Sequence, residues 1–178
     1  FISKFVHLSA FGKNIIEGIL KIAIFIGYTA LTALTKDIRR TYEYHGAEHK
    51  TIACYEHEEE LTVENVKKYT RFHPRCGTSF IMIVMVISIL FFTIFRVSWA
   101  SILLRVVIKI ALLPIVTGIA YELIRLAGKY DNIFTKIISA PGLWIQRITT
   151  SEPDESQIEC AIAALKACIP ENKEDDKW

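Results

Sequence analysis

The chain has 178 residues, enough for one domain of ordinary size, and it is 52% hydrophobic with a mean hydropathy of +0.32. Its charged residues, 22% of the total, are clustered and leave long stretches nearly free of charge, a pattern that fits an integral membrane protein better than a globular one. A net charge of +2 is too small to argue for nucleic-acid binding, and no nucleic-acid motif is present. The four cysteines show no paired spacing, so no disulfide framework is expected and a reducing compartment is the default. The first residue is Phe1 rather than Met, which suggests a fragment or processed product. No signal-peptide cleavage site is evident in the first twelve residues.

In chain order, residues 15–34 form the first predicted membrane span, with Glu17 and Lys21 four apart near its start and placed to pair. A polar insertion, 35–78, follows. Asp37 to Glu56 reads as a helix leaving the membrane, 56–60 as an acidic loop, and Thr62 as the N-cap of a short helix from Val63 to Tyr69. His73-Pro74 then breaks the chain into a turn closed by Gly77. The second span, 79–95, is an uninterrupted apolar run. The third, 102–126, holds Pro114 and Gly118, which spanning helices tolerate where neighbours satisfy the freed backbone groups. Arg96, Trp99 and Arg105 mark one interface, and Tyr121 with Tyr130 the other. Glu122 and Arg125 read as a plain interfacial ion pair.

Asp131-Asn132 is expected to be a turn or cap. Residues 137–148, interrupted by Ala140-Pro141-Gly142, read as an interfacial, broken amphipathic segment. Glu152 or Asp154 should cap a last helix that carries Ile158, Ala161, Ile162 and Leu165 at helical spacing. The tail from Glu171 is charged and expected to fray. The expected fold is therefore all-α: a single membrane domain, 1–178, with about three transmembrane helices, a cytoplasmic helical metal-binding insertion at 35–78, and a cytoplasmic or interfacial helical region at 129–178. Sidedness follows from charge. The insertion holds eight Lys/Arg and the chain from Arg125 onward seven, against few on the opposite side, so the positive-inside rule puts both in the cytoplasm.

Two motifs carry chemistry. His45-Gly-Ala-Glu48-His49 places two imidazoles about 40° apart on one helix face, where both reach one metal ion, with Glu48 beside them to take a proton from bound water. The same residue order defines the inverted zincins. Its plainer reading is a solvated helix face with two histidines by chance. His73-Pro-Arg-Cys76-Gly77 resembles half a zinc knuckle, and its plainer reading is a proline turn with a buried cysteine. Together they make His45, His49, His73 and Cys76 the candidate ligands of Zn2+ or another divalent transition metal. Four bound side chains would close the site and make it structural. Three would leave an open position and make Glu48 the catalytic base. Lys50 and Arg75 flank the ligands and are candidate contacts for an anionic substrate or lipid phosphate, or else snorkelling interfacial bases. Glu56 lies on the His45/His49 face but farther along the helix, and reads as a solvated side chain or at most a group supporting the ligands or facing the substrate; His7 and His57 read as incidental.

Residues 43–51 (Glu-Tyr-His-Gly-Ala-Glu-His-Lys-Thr), 72–80 (Phe-His-Pro-Arg-Cys-Gly-Thr-Ser-Phe), 140–144 (Ala-Pro-Gly-Leu-Trp) and the stretch from Glu152 to Leu165 resemble the signatures of the YqhQ-type bacterial membrane proteins. This is a domain-of-unknown-function family usually described as metal-dependent enzymes. The resemblance runs from about Asn14 to Leu165; the glycine-rich N-terminal region usual in the family is absent. It implies a metal and the bacterial cell membrane but names no reaction. Two functions follow as expectations. One is a membrane-bound metal hydrolase at the cytoplasmic face, acting on a membrane-embedded peptide or a lipid-derived ester. The other is a non-catalytic assembly module with a structural zinc, whose basic face binds a ribosome, a translocon or another membrane protein. The lipid bilayer is the partner common to both.

Overall fold

The computed structural model describes residues 10–94, 102–130 and 132–170 and is all-helical over them. Three helices are long and apolar enough to cross a membrane: α1 (Ala10–Thr32), α4 (Gly77–Ile94) and α5 (Ile102–Lys129). They fall where the hydropathy places spans, shifted by a few residues. Phe95, Arg96 and Trp99 lie outside the described residues, as does the tail from Glu171. α5 runs through Pro114 as one helix. The spans keep most of their apolar side chains on the outside, Ile24, Leu31, Ile94 and Ile110 among them, which is the arrangement lipid selects. Between them the contacts are close and partly polar. Gly18 of α1 leaves room for Ile89 of α4, against which a Cβ would sit 2.6 Å away. Asn14 donates to the carbonyl of Phe92 at 3.3 Å. Glu17 pairs with Lys21 at 2.7 Å, as its spacing predicts, and also meets Lys109 of α5 at 3.5 Å. Glu122 and Arg125 form the exposed i,i+3 pair.

The insertion builds a second, smaller core outside the spans. It consists of α2 (Lys36–Glu56) and α3 (Val63–Lys67), against which the last helix, α7 (Glu155–Cys168), packs. Thr62 caps α3, its side chain accepting from the Asn65 N–H, as read from the sequence. Asp154, not Glu152, caps α7, in a capping box with Gln157. Ile158 and Ile162 of α7 bury themselves against Ala47, Cys54 and Val66. Each isoleucine stabilises this junction by about 1.5–3 kcal/mol.

The segment around Ala140-Pro141-Gly142 is a correction. It is not broken: α6 (Ile133–Thr149) is continuous, capped by Asn132 and Thr135, with Pro141 accommodated inside. Gly142 lies directly on Ser79 of α4, where a Cβ would come within 2.5 Å of the serine Cβ. Thus α6 ties the polar half of the molecule to the spans.

Gly46 has a backbone reason to be glycine. A Cβ there would stand 2.0 Å from the Ser151 carbonyl oxygen, in a segment that docks onto α2 through Ser151 N–H to Tyr42 O at 2.8 Å. A backbone oxygen cannot swing aside as a side chain can. Gly46→Ala is therefore expected to destabilise the protein by about 1–3 kcal/mol, while Gly27→Ala, with nothing within 4 Å of the new carbon, leaves stability unchanged or slightly raised. Thermal melting in detergent checks both; equal melting temperatures for Gly46→Ala and the parent would contradict the packing described.

Candidate metal centre

α2 carries His45 and His49 one turn apart, their ring centroids 4.3 Å apart and edge-on. Cys76 is the residue immediately before α4. The donor atoms of His45, His49 and Cys76 lie within 4.8 Å of one another, with His45 Nε2 3.2 Å from the Cys76 sulfur. The ring orientations are fixed from behind. His45 Nδ1 sits 2.9 Å from the Thr149 carbonyl oxygen, and His49 Nδ1 sits 2.7 Å from that of Arg71. A carbonyl only accepts, so each Nδ1 carries the hydrogen. The second nitrogen of each ring is then the one left to bind through its lone pair. Nδ1–H bound to a carbonyl, with Nε2 toward the cation, is the outer-shell pattern of metal-ligating histidines. The residues present therefore fit a borderline-soft divalent ion such as zinc.

The electrostatics agree. Burial alone pushes the Cys76 thiol up, but hydrogen bonds from His45, His49 and Thr78 outweigh it and bring its pKa down to about 4. The start of α4 adds a favourable helix dipole. His45 is raised, first by its hydrogen bond to Cys76, with burial opposing. The His45–Cys76 hydrogen bond thus favours the thiolate and the protonated ring together, and a cation would compete with that proton for the ring nitrogen.

His73 stands beside these three without joining them. Its ring centroid is 5.8 Å from that of His49. Its Nδ1 accepts from the Arg75 backbone N–H at 3.3 Å, so Nε2 carries the hydrogen and donates to Glu56 Oε2 at 3.2 Å. The structure brings together three of the four expected ligands and turns the fourth to a carboxylate. Glu56 also pairs with Arg75, so of the two readings the sequence leaves open it takes the supporting one and not the solvated one. Burial raises the Glu56 carboxyl, but the His73 hydrogen bond and the nearby charges of His73, Arg75 and His57 hold it below the ordinary range.

His45, His49, Cys76, Glu48, Glu56 and Arg75 all line one open cleft of about 870 Å³. Glu48 is exposed on its wall. Glu58 and Glu59 complete an acidic rim, Glu58 in the left-handed region at φ 57°, in a helix-terminating position that usually takes glycine. Lys50 points elsewhere. Its buried ammonium pairs with Glu152 at 2.8 Å, toward the approach to α7, because that carboxylate is the charge within its reach. Lys50 is not among the residues that line the cleft, whereas Arg75 lines it with its stem against Gly128 of α5.

Residues 1–171 match the family described as "Protein of unknown function (DUF1385)". The chain belongs to that family. It is also 40% identical over 155 residues to "Uncharacterized protein YqhQ" of Bacillus subtilis (strain 168), a match covering 86% of this chain and 48% of that protein. The chain therefore spans about half the length of this curated relative. No solved structure matches. The YqhQ-type resemblance read from the motifs stands.

The residues that hold this site together have no motif to announce them. Gln146 of α6 is fully buried and clamps the His73 backbone, accepting from its N–H at 2.8 Å and donating to its carbonyl at 2.7 Å, and it also donates to Ser79. Arg71 holds the Thr150 carbonyl and pairs with Glu152. A glutamine directly after the apolar run Leu143-Trp144-Ile145 is the one available signal.

The lowered Cys76 pKa sets a pH profile. A thiol with an ordinary pKa near 8.5 loses its reactive thiolate as pH falls from 9 to 6. In chelator-treated protein carrying Cys160→Ser and Cys168→Ser, Cys76 keeps its thiolate down to about pH 4, so its alkylation rate by iodoacetamide stays nearly flat from pH 9 to 6. A tenfold fall per pH unit below 8 would contradict this.

Proposed function

We propose that the protein is a metal-dependent hydrolase of the bacterial cell membrane, with His45, His49 and Cys76 holding Zn2+ or another divalent transition metal. The observation that carries this reading is the number and placement of the donors. Three converge, and their open side faces a cleft whose wall bears Glu48. Structural zinc sites are closed by four protein ligands, whereas catalytic ones keep three and leave a position for water.

A metal held by His45, His49 and Cys76 would supply a water acidified into the neutral range. Glu48 would be the catalytic base, its carboxylate taking the proton from that water and returning it to the leaving group. Cys76 and the two imidazoles hold their places through Thr78, Thr149 and Arg71. His73 and Glu56 form a hydrogen-bonded pair on the cleft wall, and Arg75, paired with Glu56, is the arginine that lines the cleft beside them. The excess of Lys and Arg at 35–78 and after α5 supports a cytoplasmic position for the cleft. A substrate there is a peptide or lipid-derived ester presented at the membrane face.

Cobalt substitution tests this. The cobalt form is expected to show visible bands that shift on adding acetohydroxamate, because the open position accepts it. Glu48→Gln should keep the cobalt spectrum and lower hydrolysis of chromogenic ester or peptide substrates in mixed micelles by about 10²–10⁴-fold. A spectrum indifferent to acetohydroxamate, with Glu48→Gln indistinguishable from the parent, would favour the structural-zinc assembly module and overturn the hydrolase.

A further inference from the structure

α6 is built inside out. The side chains it buries against α4 and its neighbours are, Ile145 apart, small or polar: Thr135, Ser139, Gly142, Gln146 and Thr149. The side chains it exposes are large and apolar: Ile133 (79%), Phe134 (63%), Ile137 (66%) and Trp144 (54%). A water-facing helix has the opposite pattern. Along one edge of the exposed face stand Lys136 and Arg147, eleven residues apart and so within about 20° of each other around the axis.

The direction of α6 is equally specific. Gly142 meets Ser79, and seven residues later Thr149 meets Thr78. Those seven residues advance about 10 Å along α6 but about 1.5 Å along α4. α6 therefore crosses α4 steeply instead of running beside it. The other end of α6 follows α5 closely, and Gly128 near the α5 terminus touches Arg75, beside the start of α4. Both ends of α6 thus lie at the same end of the three spans.

We infer that α6 lies in the plane of the membrane interface, with its Ile133, Phe134, Ile137 and Trp144 face in the acyl boundary and its Lys136 and Arg147 edge at the lipid phosphates. The occupant of this apolar face is lipid. The spans it packs on, α4 and α5, likewise turn large apolar side chains outward, Ile81, Leu90 and Leu126 among them, and the basic edge of α6 matches an anionic headgroup layer. Because Thr149 at the end of α6 accepts the His45 Nδ1–H, the depth of α6 sets the depth of the His45–His49–Cys76 cleft. The cleft is held at headgroup level, where it meets groups presented by the bilayer surface. The placement of α6 does not depend on the hydrolase reading.

The test uses the full chain with Trp99→Phe and Trp178→Phe, leaving Trp144 as the one tryptophan, in vesicles of phosphatidylcholine and phosphatidylglycerol. Trp144 fluorescence should be quenched most by lipids with a nitroxide at acyl position 5, less at position 12, and little by aqueous iodide. Strongest quenching at position 12 would mean a deeply inserted helix. Quenching by iodide alone would mean a water-facing one. Protection from both would assign the face to a second copy or another protein. Each of these three results overturns the proposal.

Discussion

Two hydrogen bonds to backbone carbonyls decide what this molecule can do. His45 Nδ1 to Thr149 O and His49 Nδ1 to Arg71 O fix the tautomer and the aim of both imidazoles. An imidazole free to spin would present either nitrogen, and a metal would have to order it at the cost of side-chain entropy. Here the backbone has already done so. A backbone carbonyl is also an anchor that no single side-chain substitution removes, so the aim is set by how segments 71–73 and 149–151 pack.

That packing joins the two halves of the protein. Gln146 holds the His73 backbone from α6, Arg71 holds the Thr150 carbonyl, and Ser151 docks onto α2 over Gly46. These polar ties are buried, and a buried polar group that lost its partner would cost about 1–3 kcal/mol. The network therefore either forms as a whole or fails as a whole, which suits a site that must be held rigid where a membrane domain meets a polar one. Cys76 gains from the same joint. It is delivered by the turn at Pro74–Arg75 to the position just before a spanning helix, and the positive end of that helix favours its thiolate.

The spans, α2, the caps at Thr62, Asn132 and Asp154, and the apolar face of α7 were legible because each depends on local pattern: hydropathy, helical spacing, or a capping side chain three residues from its partner. The pairing of His45 with His49 was legible for the same reason. The position of His73 was not. Its spacing to Cys76 favours a shared ion, but Glu56, which α2 carries two turns beyond His49, reaches its ring. Lys50 likewise has its partner, Glu152, about one hundred residues away in sequence. Contacts of that kind leave no mark in the chain order. The Pro141-Gly142 pair misleads for a different reason. Proline near the middle of an apolar segment normally signals a break, but here the glycine is needed for contact with Ser79, and the helix continues around it.

X-ray absorption at the zinc edge of protein purified without chelators addresses the central claim most directly. A fit of one sulfur and two imidazole nitrogens with one further light oxygen donor is the expected result, and it should persist in His73→Ala. Protein with no stoichiometric metal, or a first shell of one sulfur and three imidazoles that loses a nitrogen in His73→Ala, would contradict the three-donor centre.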